Sequence, residues 1–220
     1  MPKHVCGHDT VYIALSALKS AHKATFSHSI RVAKVAVRIA VKMGSGLEVT
    51  PNDVKDAALF HDIGKLFVPL HILEKNGALT VREKENVWPH PIWGEQILLT
   101  SADHRVRSLA RYVREHHESA DGSGYPAKLT LDEINPVSRV INIADRFAAL
   151  TENRPYREAL APEFAIEILK ADIKGFFGCE AGKVVDVLAT FGAVSGKTRG
   201  ISSLASPAAL YFQPGLAMGG

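Results

Sequence analysis

Cysteine is scarce in this chain, with two residues, Cys6 and Cys179, in 220. That is too few for a disulfide framework. With no recognisable leader sequence, it points to a reducing, cytoplasmic setting. Aromatics make up 7% of the residues, and β-branched runs are short, so the composition leans towards helix. No stretch reaches the roughly 18 consecutive apolar residues of a membrane-spanning helix. A strong charge of one sign is also missing. The net charge is +3 with histidines neutral, too mild for nucleic-acid scaffolding, so neither DNA nor RNA is an expected partner. A local positive patch would still suit an anionic substrate.

What is present is an ordinary globular composition, 46% hydrophobic and 22% charged, in a chain long enough for one sizeable core. Periodicity predicts a first helix over 10–21. The next helix begins around FSHSI and stops at Gly44, with Ile30, Ala33, Ala36, Val37, Ala40 and Val41 on one face. A helix over 50–63 starts with Thr50 as N-cap, Pro51 at its first position and Asp53 in its first turn. Residues 66–89 read as a connector with short helical turns, one of them near LTVREKENV. His90 precedes a helix over 91–99. Another is predicted over 103–118, with Val106, Leu109, Ala110, Val113, His116 and His117 on one stripe, broken by DGSGYP. Asn135-Pro136 opens a helix whose inner face carries Val137, Val140, Ile141, Ala144, Asp145 and Ala148. Final helices are expected over 162–173 and 180–191. The expected architecture is an all-α, single-domain helical bundle over 10–192, with an N-terminal extension 1–9. The Gly/Ala/Ser/Pro-rich tail, 193–220, is expected to be poorly ordered.

Seven residues with metal-ligand chemistry recur along this pattern: His28, His61, Asp62, His90, His116, His117 and Asp145. A lone histidine is usually a satisfied core or surface residue, and His22, His71 and His104 are read that way. The doublets are different. Neighbouring helical residues point about 100° apart, so His61 and Asp62 reach one ion only at a helix end or beside a cleft. A carboxylate such as Asp62 has two oxygens and can bridge two ions. His116 and His117 follow the same logic. Asp145 on an apolar face is costly without partners, which a metal would supply. Such nitrogen–oxygen sets suit Fe, Mn, Zn or Co. Lys65, three residues past Asp62, is placed to neutralise a phosphate. Tyr125, in a loop whose glycines let backbone approach a ligand, offers a ring and a hydroxyl. Arg154 and Arg157 carry forks that match phosphate oxygens or a guanine edge.

These strings resemble the HD-GYP domain, a branch of the HD phosphohydrolase superfamily. The resemblance covers about residues 10–190. It rests on HS-x-RVA (28–33), ALFHDIGK (58–65), IL-x-K-x-G-x-LT (72–80), HP-x-x-G (90–94), HHE-x-x-DGSGYP (116–126), IADRF-x-AL (143–150) and RPYR (154–157). It implies a helical bundle around a two- or three-metal centre, usually iron or manganese. It also implies hydrolysis of cyclic di-GMP to pGpG, in some members onward to GMP. Carried over by motif, His28, His61, Asp62, His90, His116, His117 and Asp145 are the metal ligands. Lys65, acting with Asp62 in catalysis, contacts the scissile phosphate. Tyr125, Arg154 and Arg157 line the nucleotide site.

Two positions depart from the family pattern. Some trinuclear members carry a glutamate where this chain has Ala24, so two divalent ions are expected and a third is disfavoured. An acidic residue common after the phenylalanine of IADRF is here Ala148. Two other readings stand beside this one: an HD-type phosphohydrolase acting on another nucleotide such as cyclic GMP-AMP, and a cyclic di-GMP-binding module without catalysis. The 220 residues leave no room for a receiver or sensor domain, so a stand-alone or excised domain is expected. Its protein partner would be a second copy or a signalling protein.

Overall fold

A computed structural model describes residues 9–153 and 157–191. Residues 1–8, the tail 193–220 and Arg154 lie outside the described residues.

Eleven α-helices and three short 3₁₀ turns form the described chain, with no named strand among them. The order begins with α1 (Thr10–Ala21), α2 (Lys23–Met43) and α3 (Pro51–Phe60), then a 3₁₀ turn over Ile63–Phe67. It continues with α4 (Leu70–Leu73), α5 (Val81–Val87), α6 (His90–Leu99), α7 (His104–Ser108) and α8 (Ala110–Glu115). The last three are α9 (Pro136–Leu150), α10 (Pro162–Phe177) and α11 (Ala181–Ala189).

Helix starts follow local chemistry. Thr50 and Asp53 close a reciprocal capping box on α3, with Pro51 at the first position. Thr80 and Glu83 do the same for α5. The Asn135 side chain accepts the Val137 N–H ahead of α9, whose first residue is Pro136. His22, read as a satisfied core or surface residue, breaks α1 from α2: its ring accepts the Thr25 N–H at 3.2 Å and so caps α2.

The architecture is built around α9. Every residue from Val137 to Leu150 except Arg139 is buried, the signature of a helix enclosed on all sides. It packs against α2, α3, α8 and α10, while α11 covers the joint between α2 and α10. A satellite core of Val68, Ile72, Leu79 and Val87 holds the 66–89 connector in place.

Two expectations are corrected. The buried face of α2 is Val32, Ala33, Val35, Ala36, Ile39 and Ala40, whereas Ile30 is 37% and Val41 65% exposed. The predicted stripe was rotated because Ala33, Ala36 and Ala40 fit either face. The single helix expected over 103–118 is two, broken at Leu109. Hydrogen bonds tighten there to the third residue back, Leu109 N–H to Val106 and Tyr112 N–H to Leu109. α8 stops at Glu115 because Asn142 of α9 donates to the carbonyls of His116 at 2.9 Å and Glu118 at 3.1 Å, which turns the chain away.

Candidate metal centre

Six of the seven candidate ligands fall into two groups whose nitrogen and oxygen atoms lie within 4.8 Å of one another: His28, His61 and Asp62, and His90, His116 and His117. All six are buried. Asp145 joins the first group, its Oδ1 lying 2.7 Å from His28 Nε2 and 3.9 Å from His61 Nε2. Asp62 stands between the groups. Its Oδ1 is 3.3 Å from His90 Nε2, and its Oδ2 is 3.4 Å from His61 Nε2.

The same device positions three of the histidines. His61, His90 and His116 sit at or just past the C-terminal ends of α3, α5 and α8, where backbone carbonyls lack helical partners. Each ring donates its Nδ1–H to the carbonyl three residues back: Ala58 at 2.7 Å, Val87 at 2.8 Å and Val113 at 2.5 Å. That bond fixes the tautomer and turns the Nε2 lone pair inward. His90 Nε2 and His116 Nε2 therefore face each other at 3.3 Å as two lone pairs. Two nitrogens each ~2.0–2.1 Å from one ion stand roughly 3 Å apart.

His61 Nε2 and Asp62 Oδ1 are buried without a hydrogen-bond partner. A buried polar atom left so costs about 1–3 kcal/mol. The donor set, the facing lone pairs and these orphaned atoms all fit divalent metal ions.

Electrostatics agree with ligation. Burial, reinforced by the neighbouring rings, holds His116 and His117 well below the ordinary histidine value, so both present neutral nitrogens. Burial pushes the Asp62 carboxyl up, but His61 and Lys65 outweigh it and keep the group ionised. Burial likewise disfavours charge on His28. Its hydrogen bonds to Asp145 and Glu152 win, and its pKa rises to about 9 without metal.

Lys65 is half-buried on the 3₁₀ turn, its Nζ 2.7 Å from Asp62 Oδ2. The Tyr125 ring stacks on His117, with centroids 4.8 Å apart and planes at 24°. Its hydroxyl is buried without a hydrogen-bond partner. The Glu118 carboxylate accepts the N–H groups of Ala127 at 2.6 Å and Leu129 at 2.9 Å, which pins this loop. The glycines serve close approach of the chain to itself. A Cβ on Gly124 would lie 2.3 Å from the Ser119 nitrogen, and one on Gly64 would lie 2.0 Å from the His90 oxygen. Arg157 donates to the carbonyls of Ala149 at 2.7 Å and Leu150 at 2.9 Å, capping α9. That is a structural use of a residue expected at the nucleotide.

Three contributors escaped the sequence reading: Glu152 on His28 Nδ1, Asn142 behind the His116–His117 turn, and Glu118 under the loop. Asn142 falls among the buried positions of α9, a legible signal. Nothing local marks Glu152, whose contact with His28 spans 124 residues of sequence.

Fold and site together define a helical bundle with a buried histidine–aspartate cluster at its middle that fits divalent metal ions. The chain belongs to the HD domain family, whose model matches residues 14–176, and the HD-GYP resemblance of its motifs stands. A 3'3'-cGAMP-specific phosphodiesterase of Vibrio cholerae is 40% identical over 152 residues, 68% of this chain and 32% of the relative. A cyclic di-GMP phosphodiesterase of Thermotoga maritima is 39% identical over 133 residues, 60% of this chain and 36% of the relative. The chain thus spans about a third of the length of these curated relatives. Among solved structures, the HD domain of the Listeria monocytogenes phosphodiesterase PgpH in complex with cyclic-di-AMP superposes with a TM-score of 0.61 at 20% identity, covering 86% of this chain and 100% of that one. Among the described residues no helix is long and apolar enough to cross a membrane.

Proposed function

We propose that this chain is a metal-dependent phosphodiesterase that hydrolyses cyclic di-GMP to pGpG. The observation that carries the reading is Asp62, whose two oxygens face separate ligand groups at 3.3 and 3.4 Å, as a bridging carboxylate does. His28, His61 and Asp145 would hold one ion with Asp62, and His90, His116 and His117 would hold the other. Iron or manganese is the expected occupant. Two ions are preferred over three because Ala24, exposed on α2, offers no ligand atom. When bound, such a pair lowers the pKa of water and offsets charge on phosphoryl oxygens.

The chain's own residues complete the site. Lys65 leaves Asp62 to donate to a phosphate oxygen and to stabilise the leaving 3′ oxygen as charge develops. The Tyr125 hydroxyl donates to a bound nucleotide. Arg157 holds the end of α9 through the carbonyls of Ala149 and Leu150, and the Arg154 fork supplies chemistry that matches a phosphate oxygen or a guanine edge. A second reading, hydrolysis of 3'3'-cGAMP, is favoured by the similarity to the Vibrio cholerae relative.

The test is a product assay. Anaerobically purified protein, loaded with manganese or iron, is offered cyclic di-GMP, 3'3'-cGAMP and cyclic di-AMP in parallel. Cyclic di-GMP should be consumed fastest, giving pGpG. Asp62→Ala should abolish turnover and lower metal content. Lys65→Ala should keep its metal and lose roughly 10²–10³ in kcat. Full activity in folded Asp62→Ala would sink the mechanism. Tight binding without product in metal-loaded protein would make the chain a binding module.

A further inference from the structure

His28 differs from three of the other candidate ring ligands in where it sits. His61, His90 and His116 lie at helix ends and hand their Nδ1–H to a backbone carbonyl three residues back. His28 lies inside α2 (Lys23–Met43), where the carbonyls are committed to the helical ladder. The carbonyl three residues back, that of Thr25, also accepts the Ser29 hydroxyl at 3.1 Å. His28 therefore needs a partner from elsewhere in the fold.

Glu152 is that partner. Its Oε2 lies 3.2 Å from His28 Nδ1, while Oε1 lies 3.4 Å from the Arg31 guanidinium one turn away on the same helix. Its side chain is 19% exposed, so the contact is well shielded from water. Glu152 follows closely on the last turn of α9, which Arg157 caps through the carbonyls of Ala149 and Leu150. The backbone just before Glu152 is thus anchored by Arg157, and its carboxylate by His28 and Arg31 of α2.

We propose that Glu152 is a positioning residue of the metal centre, acting through His28. It holds the proton on Nδ1, aims Nε2 at the metal and strengthens the ring as a donor, so it sets the metal affinity of the position His28 serves. Carboxylate–histidine–metal triads work in this way, and loss of the outer partner typically costs 10–100-fold in metal affinity. The inference rests on the metal-dependent reading above.

The experiment is a calorimetric Mn²⁺ titration of the chelator-stripped 220-residue chain, with elemental analysis of the loaded protein. Wild type is compared with Glu152→Ala and Glu152→Gln. Glu152→Ala should weaken one metal equivalent by roughly 10–100-fold and leave the other within about twofold. Glu152→Gln should fall between, because its amide oxygen still accepts from Nδ1 but carries no charge. Thermal melts of the stripped proteins separate positioning from folding. Equal weakening of both equivalents, matched by a lower stripped-protein Tm, would show a merely structural role and overturn the proposal. So would both variants binding within twofold of wild type. Wild type that binds no Mn²⁺ would reject the metal-dependent reading itself, and this inference with it.

Discussion

His28 carries a proton in the metal-free protein because two carboxylates flank it, Asp145 at 2.7 Å and Glu152 at 3.2 Å. Its folded pKa of about 9 lies above the ordinary 6.5. A raised pKa means the folded state holds the proton more tightly than the unfolded one. The stabilisation is fully present below 6.5, declines as the pH rises and is gone above about 9. In chelator-stripped protein, the stability gap between wild type and His28→Gln should therefore shrink steadily from pH 6 to pH 9 in urea melts. A gap that does not change with pH would refute this account of His28. Gly64 supports the centre by having no side chain. A Cβ there would meet the His90 oxygen at 2.0 Å and the Gly94 nitrogen at 2.6 Å, and both are backbone atoms that cannot swing aside. Gly64→Ala should cost about 1–3 kcal/mol or more and should weaken metal binding by displacing His90. Gly46→Ala, with open space around its Cβ, is the control. Equal melts for the two variants would contradict the steric reading.

The helices show which signals were readable and which were not. Caps could be read directly: Thr50 with Asp53, and Asn135 with Pro136, stand at the observed starts of α3 and α9. These depend on residues within one turn. The break at Leu109 and the early end of α8 could not be read, because bonds from Asn142 of α9 impose that end. The seven candidate ligands were legible as residue types, since doublets such as His61-Asp62 have no ordinary packing role. Glu152 was invisible because its meaning depends on a helix 124 residues away in sequence. Arg157 was read by its chemistry as a nucleotide contact, yet its fork also matches the bare carbonyls at the end of α9. The Thr50 cap gives a prediction confined to one element. Thr50→Ala should cost about 1 kcal/mol, seen as a lower urea midpoint with unchanged slope. α3 has 10 residues and His61 follows it, so His61 stands about 16 Å from the cap at about 1.5 Å per residue. Metal stoichiometry should therefore be unaffected. A loss of metal in Thr50→Ala would mean that α3 does not transmit its position as a rigid rod.

Across the whole molecule, the centre gathers side chains from α2, the ends of α3 and α8, the start of α6 and the middle of α9. These segments meet only in the folded bundle, the His28–Asp145 contact alone closing 117 residues. Without metal, that arrangement leaves His61 Nε2 and Asp62 Oδ1 buried and unpartnered, and it aims the lone pairs of His90 and His116 at each other across 3.3 Å. The fold therefore carries a local cost that ions would relieve. An unfolded chain cannot bring these groups together, so metal binds the native state preferentially. At a free concentration 100 times its Kd, one ion then adds about 2.7 kcal/mol of stability. For a domain of this size each kcal/mol moves Tm by roughly 2–4 °C. Replacing saturating Mn²⁺ by a chelator should thus lower Tm by roughly 5–11 °C for each strongly bound ion, read in a fluorescence melt. In Asp62→Ala the same exchange should move Tm far less, because the carboxylate that faces both groups is gone. A wild-type Tm that does not change on chelation would mean that the buried lone pairs are satisfied in some other way, and the metal reading of the centre would fall.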